Sequence, residues 1–301
     1  MRAYCLSFHA PYACEHTGAC CTAPWPLPIE HDAVERLRTR GLIRIPQRAY
    51  VRPLHPPVNG VSLALATATD GACVFFDREG GRLCRVHRDA GADLLPVACR
   101  NFPRVTLRDR RGVFITLSSL CPTAARLLLT AGDMKIVEAP ATLSLAGQVE
   151  GLDATEVMPP LLRPGMLMDL EGYARWEAEG IAVLGDRALA ARAAVAVIGD
   201  ATRDVCTWHP GGETLAGRAG RAFDRARSSA PVSPSIPPLE HAVKAFLASH
   251  LFASWAAYQR GGLHAVVDEL QQALVLVGAE HRSDDSLVAA ARAADLRLRH
   301  G

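Results

Sequence analysis

The densest cysteine motif of the chain lies at residues 12–21, which read YACEHTGACC. With Cys5 before this motif and four single cysteines after it, eight of the nine cysteines fall well within the first half of the chain. Such an excess of cysteines indicates a shared role. Clustered cysteines serve as metal ligands, disulfide partners or catalytic thiols. We therefore treat residues 5–121 as the stretch that decides the fold. Its cysteines are Cys5, Cys14, Cys20, Cys21, Cys73, Cys84, Cys99 and Cys121, and Cys206 lies outside it.

Length and charge narrow the class of protein. With 301 residues, the chain can bury a hydrophobic core without covalent cross-links. The formal net charge is +2 and acidic and basic residues are mixed along the chain, so we expect no nucleic-acid partner and no membrane partner. Ser7, His9 and Pro11 interrupt the apolar core that a signal peptide would need, and no run of about 18 apolar residues occurs. We expect a cytoplasmic protein.

The spacing of the cysteines favours a metal over disulfides. Thiols stay reduced in the cytoplasm, and an odd number of cysteines does not fit a fully paired framework. Thiolate ligands select zinc, copper(I) or iron–sulfur clusters. A zinc ribbon needs two close cysteine pairs, whereas only Cys20 and Cys21 are that close here, and their Cα separation of about 3.8 Å is short for a disulfide. An iron–sulfur cluster, such as 4Fe–4S, and an irregular zinc site both remain open.

Local patterns predict short elements around these cysteines. Residues 1–29 lack a sustained period, which predicts a loop-like segment that a metal could order. A short helix is predicted at residues 32–38. Two hairpins are predicted: one has Cys73 and Cys84 on its two arms, and the other spans residues 104–117.

Cys121 is followed directly by Pro122. Proline suits the first position of a helix, because its missing N–H would have no partner there. This places Cys121 at the helix cap, where the positive end of the helix favours a thiolate. We expect Cys121 to be a better metal ligand than an arbitrary buried cysteine.

Beyond residue 132 the chain is rich in Ala, Leu and Arg with helical spacing. Residues 228–238 are rich in Pro and Ser and predict a loop. We predict a mainly α-helical fold, with residues 1–131 as a small irregular α+β cysteine-rich metal-binding module containing two short hairpins, and residues 132–301 as an all-helical body. The predicted helices lie near residues 168–184, 187–199, 213–227, 239–260, 262–278 and 284–299.

Histidine and arginine side chains extend the candidate site. His87 follows Cys84 at a spacing that suits a shared metal, although an imidazole bonded to the backbone would explain it equally well, and His16 is a second candidate. Arg100 and Arg104 could neutralise a thiolate centre or hold a carboxylate or phosphate, or they could simply begin a charged strand. We interpret His9, His31 and His55 as surface or loop histidines, Trp25 as a packing anchor and Cys206 as a buried small hydrophobic residue.

The order and the flanking residues of the cysteines resemble a known family. Over residues 8–130 the pattern is similar to the zinc- or iron-chelating CxxCxxCC cysteine-cluster family, which includes YkgJ-like proteins and the flagellin lysine-N-methylases. The methylase branch is the most similar one. The motifs that carry the resemblance are Tyr12-x-Cys14-x-x-Thr17-Gly18-x-Cys20-Cys21, Cys73-x-Phe75, Cys84-x-x-His87, Cys99-Arg100-x-Phe102-Pro103-Arg104 and Ser118-x-x-Cys121-Pro122.

The resemblance implies a cysteine-bound metal centre. For the methylase branch it also implies an iron–sulfur cluster, S-adenosylmethionine and a lysine-bearing, flagellin-like protein substrate. Thr17 departs from the family pattern, which has a cysteine there. Cys5 could supply the missing ligand, or the centre keeps the open position that a substrate or S-adenosylmethionine would need. The candidate metal ligands are Cys5, Cys14, Cys20, Cys21, Cys73, Cys84, Cys99, Cys121 and His87, and the candidate cofactor-binding residues are Arg100 and Arg104.

Three functions are consistent with these features. We expect a cytoplasmic metal-binding protein that holds an iron–sulfur cluster or zinc through its cysteines. The alternatives are an S-adenosylmethionine-dependent protein lysine N-methylase, and a zinc-stabilised interaction module whose helices at 213–299 hold a partner. The chain has no glycine-rich phosphate loop, no GxGxxG, no HExxH and no CxxxCxxC, so no cofactor motif of its own supports the methylase.

Overall fold

The protein combines long helices with short strands. The structure is a computed structural model that describes residues 1–22, 24–81, 83–143, 151–156, 159–231, 237–258, 261–278 and 284–300. About 48% of the chain is helical and 17% is strand, so the fold is mixed, with more helix than sheet. The helices are α1 (His31–Thr39), α2 (Arg85–Ala90), α3 (Val97–Asn101), α4 (Pro122–Leu127), α5 (Leu170–Gly185), α6 (Ala191–Val205), α7 (Leu215–Ser228), α8 (Pro238–Leu251), α9 (Leu263–Gly278) and α10 (Asp284–His300). The strands are β1 (Ala3–Leu6), β2 (Val51–Val58), β3 (Val61–Leu65), β4 (Phe76–Asp77), β5 (Leu83–Cys84), β6 (Arg104–Asp109), β7 (Gly112–Leu117), β8 (Ile136–Glu138), β9 (Leu152–Asp153), β10 (Leu161–Arg163) and β11 (Met166–Leu167).

A five-stranded sheet has the order β8-β1-β7-β6-β9. The hairpin β6–β7 closes at Asp109 and Gly112, which confirms the second predicted hairpin and places it inside this larger sheet. β1 runs parallel to β7 and antiparallel to β8. The predicted loop over residues 1–29 is therefore wrong at β1. Four residues are too few to show a period, and both partner strands lie far along the chain.

The first predicted hairpin is confirmed in part. β4 and β5 pair through Phe76 and Cys84, so Cys84 lies on the second arm. Cys73 precedes the first arm and instead forms an isolated bridge with Thr67. Its backbone N–H donates to the carbonyl of Cys21 at 2.8 Å, which holds Cys73 against the cysteine motif rather than in the hairpin.

The predicted helices of the C-terminal half are confirmed near their expected positions. The helix expected over 239–260 is shorter, because α8 ends at Leu251 and Ala253 adopts a left-handed φ of 56° before a 3-10 helix at Trp255–Tyr258. The expectation that residues 132–301 are helical throughout is wrong, since β8 to β11 lie within this range. The boundary at residue 131 stays a prediction. Part of the predicted loop, residues 232–236, lies outside the described residues.

Among the residues that the structure describes, the buried side chains form three hydrophobic clusters. The largest joins α5–α10 to the sheet through residues such as Leu107 and Phe114. A second cluster surrounds Phe75 and contains Cys21 and Cys73. A third contains Cys5, Tyr12 and Cys121. The buried cysteines of residues 5–121 are thus divided between the second and third clusters, and Cys206 belongs to the largest one. None of the helices in the described ranges is long and apolar enough to cross a lipid bilayer.

A buried polar cluster ties α8, α9 and α10 together around His250. The imidazole Nδ1 of His250 lies 2.9 Å from Glu269 Oε1, and Nε2 lies 3.2 Å from Asp295 Oδ1. Arg299 donates to the same Asp295 oxygen at 2.8 Å, and the Ser118 hydroxyl donates to the other oxygen. Both His250 and Asp295 are almost completely buried. The charge on His250 therefore contributes to the stability of the helical layer.

Stability should depend on pH through His250. Burial and Arg299 act to lower the pKa of His250, but the contacts with the Asp295 and Glu269 carboxylates outweigh them and raise it above 6.5. The stabilisation is complete below about pH 6.5 and is lost as pH rises through the raised pKa. Urea unfolding at a series of pH values should show the free energy of unfolding of wild type falling by about 1.4 kcal/mol per unit of pKa shift. His250→Gln should not show this fall. The exposed control His31→Gln should follow wild type, and a wild-type curve parallel to that of His250→Gln would contradict the assignment.

Candidate functional site

One cavity of about 870 Å³ gathers most of the cysteines. Seven of the nine line it, together with both candidate histidines and both candidate arginines. These residues come from separate segments between residues 10 and 142, so it is the fold that brings them together. The lining cysteines are Cys14, Cys20, Cys21, Cys73, Cys84, Cys99 and Cys121.

The adjacent pair Cys20 and Cys21 is presented by a short 3-10 helix, Ala19–Cys21. Gly18 precedes it in the left-handed region with a φ of 75°, a conformation that glycine adopts without steric cost. The carbonyl of Gly18 accepts the N–H of Cys21 at 2.9 Å and the hydroxyl of Thr22 at 3.3 Å. The motif thus forms a tight turn that directs both thiols to the same region.

Three further elements bring the remaining thiols to this turn. Cys73 is held by its hydrogen bond to the Cys21 carbonyl, and Cys84 ends β5 and caps α2. Cys99 lies in α3, whose first residue Val97 donates its N–H to Glu30 Oε2 at 3.3 Å. Because α3 is anchored to the start of α1 in this way, Cys99 is fixed beside the second hydrophobic cluster.

We name Cys20, Cys21, Cys73, Cys84 and Cys99 the five-thiol set. Hydrogen bonding to Cys21 lowers the pKa of Cys20 and lowers that of Cys84 to about 6, whereas hydrogen bonds to Cys20 and Cys84 raise the pKa of Cys21. Burial raises the pKa of Cys73 to about 11 and also raises that of Cys99, and both thiols interact electrostatically with Cys84. Cys84 therefore interacts with every other member of the set.

A second group of lining residues is organised around Tyr12. Its hydroxyl lies 3.8 Å from the Cys121 thiol, and the guanidinium carbon of Arg104 lies 5.8 Å from the centre of its ring. Burial raises the pKa of Tyr12, and Cys121 and Cys14 raise it further. Cys121 caps α4 with Pro122 at the start of the helix, which confirms the predicted placement.

The two candidate histidines face each other across a sequence gap of 71 residues. The ring centres of His16 and His87 are 4.9 Å apart, and His16 Nδ1 lies 4.0 Å from the Cys14 thiol. Burial, followed by the charge of His16, lowers the pKa of His87. His87 therefore reaches the cavity beside His16 and Cys14, while its role as a metal ligand stays a prediction.

The candidate ligand Cys5 lies away from the cavity lining, as do Cys206 and His9, which were not site candidates. Cys5 is fully buried in β1, where burial raises its pKa to about 11. Cys206 is buried and its thiol donates to the Leu162 carbonyl at 3.2 Å, which confirms it as a buried residue of the core. His9 was expected at the surface and is instead buried, with Nε2 3.4 Å from the Ser249 hydroxyl. The ring of His9 also packs edge-on against the ring of Phe8. The sequence around His9 alone does not predict that this side chain is buried.

The types of the lining side chains suit a soft metal, but their positions do not form a metal site. Throughout the described ranges, no group of three or more His, Cys, Asp or Glu side chains is arranged so that it could hold a metal ion as it stands. The thiols of the five-thiol set instead interact with one another. The donor type nevertheless fits zinc or an iron–sulfur cluster, because sulfur ligands select these metals and no carboxylate of the described segments lines the cavity.

Two lining residues were not assigned from the sequence. Tyr12 stands two residues before Cys14 within the cysteine motif, so its proximity to the motif was a usable signal. Arg88 also lines the cavity, but it forms ion pairs with Asp77 and Asp89 that depend on the β4–β5 hairpin. No signal in the sequence could have shown that arrangement.

Comparison with known proteins gives no relative. No protein-family model matches the chain, and neither a curated protein nor a solved structure is similar to it. The resemblance to the cysteine-cluster family therefore stays a prediction from the motifs.

Proposed function

We propose that the protein binds a metal, as an iron–sulfur cluster or as zinc, through the five-thiol set. The observation that supports this most strongly is the gathering of five thiols from four separate segments in the lining of one cavity. Buried thiols seldom collect in this number for packing alone, whereas soft metals require such a set. In a reducing compartment the set would remain available as ligands.

The five-thiol set would hold the group, and it contains one thiol more than the four that a zinc site or a cubane cluster uses. Zinc would supply structural stabilisation, and an iron–sulfur cluster would supply redox chemistry. Cys73 and Cys99 come from elements that local packing already fixes. Cys84 and one of the adjacent pair Cys20 and Cys21 would complete a set of four ligands, and the other cysteine of that pair would be left over.

Metal and acid-labile sulfide content, with an absorption spectrum, tests the proposal on full-length protein purified without oxygen. We expect about four irons and four sulfides per chain with absorption near 400 nm for a cubane cluster, or about one zinc without sulfide for a zinc site. Protein that carries neither metal after reconstitution with iron and sulfide, or with zinc, would refute metal binding.

The lysine N-methylase and the interaction module stay predictions. Both depend on the identity of the metal, since redox chemistry favours an enzyme and structural zinc favours a module. The contacts described above single out no lysine-bearing protein partner and no S-adenosylmethionine site. A methyl-transfer assay is informative once an iron–sulfur cluster has been found.

A further inference from the structure

The cavity is larger than the metal site alone requires. Its volume of about 870 Å³ falls in the range of about 300–1,000 Å³ that small-molecule sites occupy. Beside the cysteines, apolar side chains such as Leu27, Leu65, Phe75 and Phe102 form much of its surface. A surface of this kind would accept the apolar body of an organic molecule.

Apart from the thiols, the charged side chains that line the cavity within the described residues are basic. Of the residues that the structure describes, three arginines line the cavity and no aspartate or glutamate does. Arg88 is neutralised by Asp77 and Asp89, which lie outside the lining. Arg104 donates to the carbonyls of Leu143 and Thr142 at 2.7 and 3.1 Å. Both acceptors are neutral, and no carboxylate of the described residues pairs with Arg104.

Arg100 is the cation that most needs a partner. It is half-buried in α3, directly after Cys99, and its backbone N–H donates to the Pro96 carbonyl. Within the described parts of the chain, its guanidinium group forms no hydrogen bond or ion pair. A partly desolvated guanidinium without a counter-ion is unfavourable, and planar oxyanions are the groups that it binds best.

We propose that the cavity binds a small organic anion, with the oxyanion on Arg100 beside Arg104 and the apolar body against the leucine and phenylalanine side chains. The anionic group can be a carboxylate, sulfonate or phosphate, since all three present oxygens to a guanidinium. This binding does not depend on the proposed metal. If the thiolates of a metal centre balance the arginines instead, metal loading will displace the anion.

Anilinonaphthalene sulfonate is a suitable probe, because it joins an apolar body to an oxyanion and fluoresces when it is buried. N-phenylnaphthylamine has the same rings without the charge and is the matched neutral probe. We expect one sulfonate site per full-length chain. Arg100→Gln should raise the Kd for the sulfonate by about 10–100-fold, as expected for a hydrogen bond to a charged group, and should change the Kd of the neutral probe by less than about twofold.

Two further variants make the test specific. Arg100→Lys keeps the charge and should restore part of the sulfonate affinity. Arg48→Gln removes an exposed arginine that does not line the cavity and should bind both probes as wild type does. Equal binding of the two probes to wild type, or unchanged sulfonate binding by Arg100→Gln, would overturn the proposal. Sulfonate binding that disappears when zinc or an iron–sulfur cluster is loaded would also overturn it, by assigning the arginines to the metal centre.

Discussion

Replacement of Cys84 by serine is expected to lower the metal content of the purified protein by at least about tenfold. Loss of an outer partner alone lowers metal affinity by about 10–100-fold, and loss of a direct ligand should cost at least as much. Cys84 is the informative position, because it lines the cavity from β5, an element that carries no other cysteine of the five-thiol set. Metal and sulfide analysis of the variant, purified as wild type is, measures the effect.

Serine at position 84 separates metal loss from misfolding. Cys84 is the cap residue of α2, and serine is among the preferred residues at that position, so the helix should persist. Cys206→Ser is the matched control, since Cys206 is buried but does not line the cavity. Wild-type metal content in Cys84→Ser would show that the ligands were assigned wrongly. Equal metal loss in Cys206→Ser would show that the assay reports stability rather than ligation.

Metal analysis also tests how the centre accommodates Thr17, which stands where the family pattern has a cysteine. Either Cys5 supplies the missing ligand or the centre keeps an open position. Cys5 is fully buried in β1 and does not line the cavity, so we expect Cys5→Ser to keep its metal. Cys121 lines the cavity but contacts Tyr12. Metal loss in Cys121→Ser would extend the ligand set to the Tyr12 group, and metal loss in Cys5→Ser would make Cys5 the replacement for the absent family cysteine.

The sequence predicts the candidate site better than the way in which it is assembled. Clustering and spacing select the cysteines, because ligand chemistry restricts which residue types can serve. The partition into a five-thiol set and a Tyr12 group depends on which elements pack together, and spacing carries no information on that. Cys5 illustrates the limit, since its strand position follows from pairing with β7 and β8.

The fold shows the same division between local and distant causes. The helices α5 to α10 repeat apolar residues with a helical period, so their positions are predictable. β1 and the end of α8 are not, since β1 needs distant partner strands and α8 stops where Ala253 turns left-handed. His9 shows how this affects side chains, because its burial depends on Ser249 in a distant helix.

Replacement of Arg111 by methionine is expected to lower the free energy of unfolding by about 3–5 kcal/mol, the usual cost of leaving a buried charge without its partner. Arg111 lies 2.8 Å from Asp109 Oδ2 and 3.2 Å from Glu177 Oε2, and both carboxylates are almost fully buried. Its guanidinium carbon also lies 4.3 and 4.6 Å from the ring centres of Phe114 and Tyr173. Methionine fills part of the space but leaves two acidic groups unpaired. Urea unfolding measures the loss.

The adjacent Arg110 provides the control for this large effect. It is exposed, so Arg110→Met should change stability by less than about 0.5 kcal/mol. Arg111→Lys should fall between the two, because lysine keeps the charge but cannot form the paired hydrogen bonds or stack between the rings. β6 begins at Arg104, which lines the cavity, and ends at Asp109, the ion-pair partner of Arg111. At about 3.4 Å per residue, the two ends of this strand lie about 17 Å apart. Folded Arg111→Met should therefore bind the sulfonate probe as wild type does. Equal stability of Arg110→Met and Arg111→Met would show that the buried carboxylates are compensated in another way.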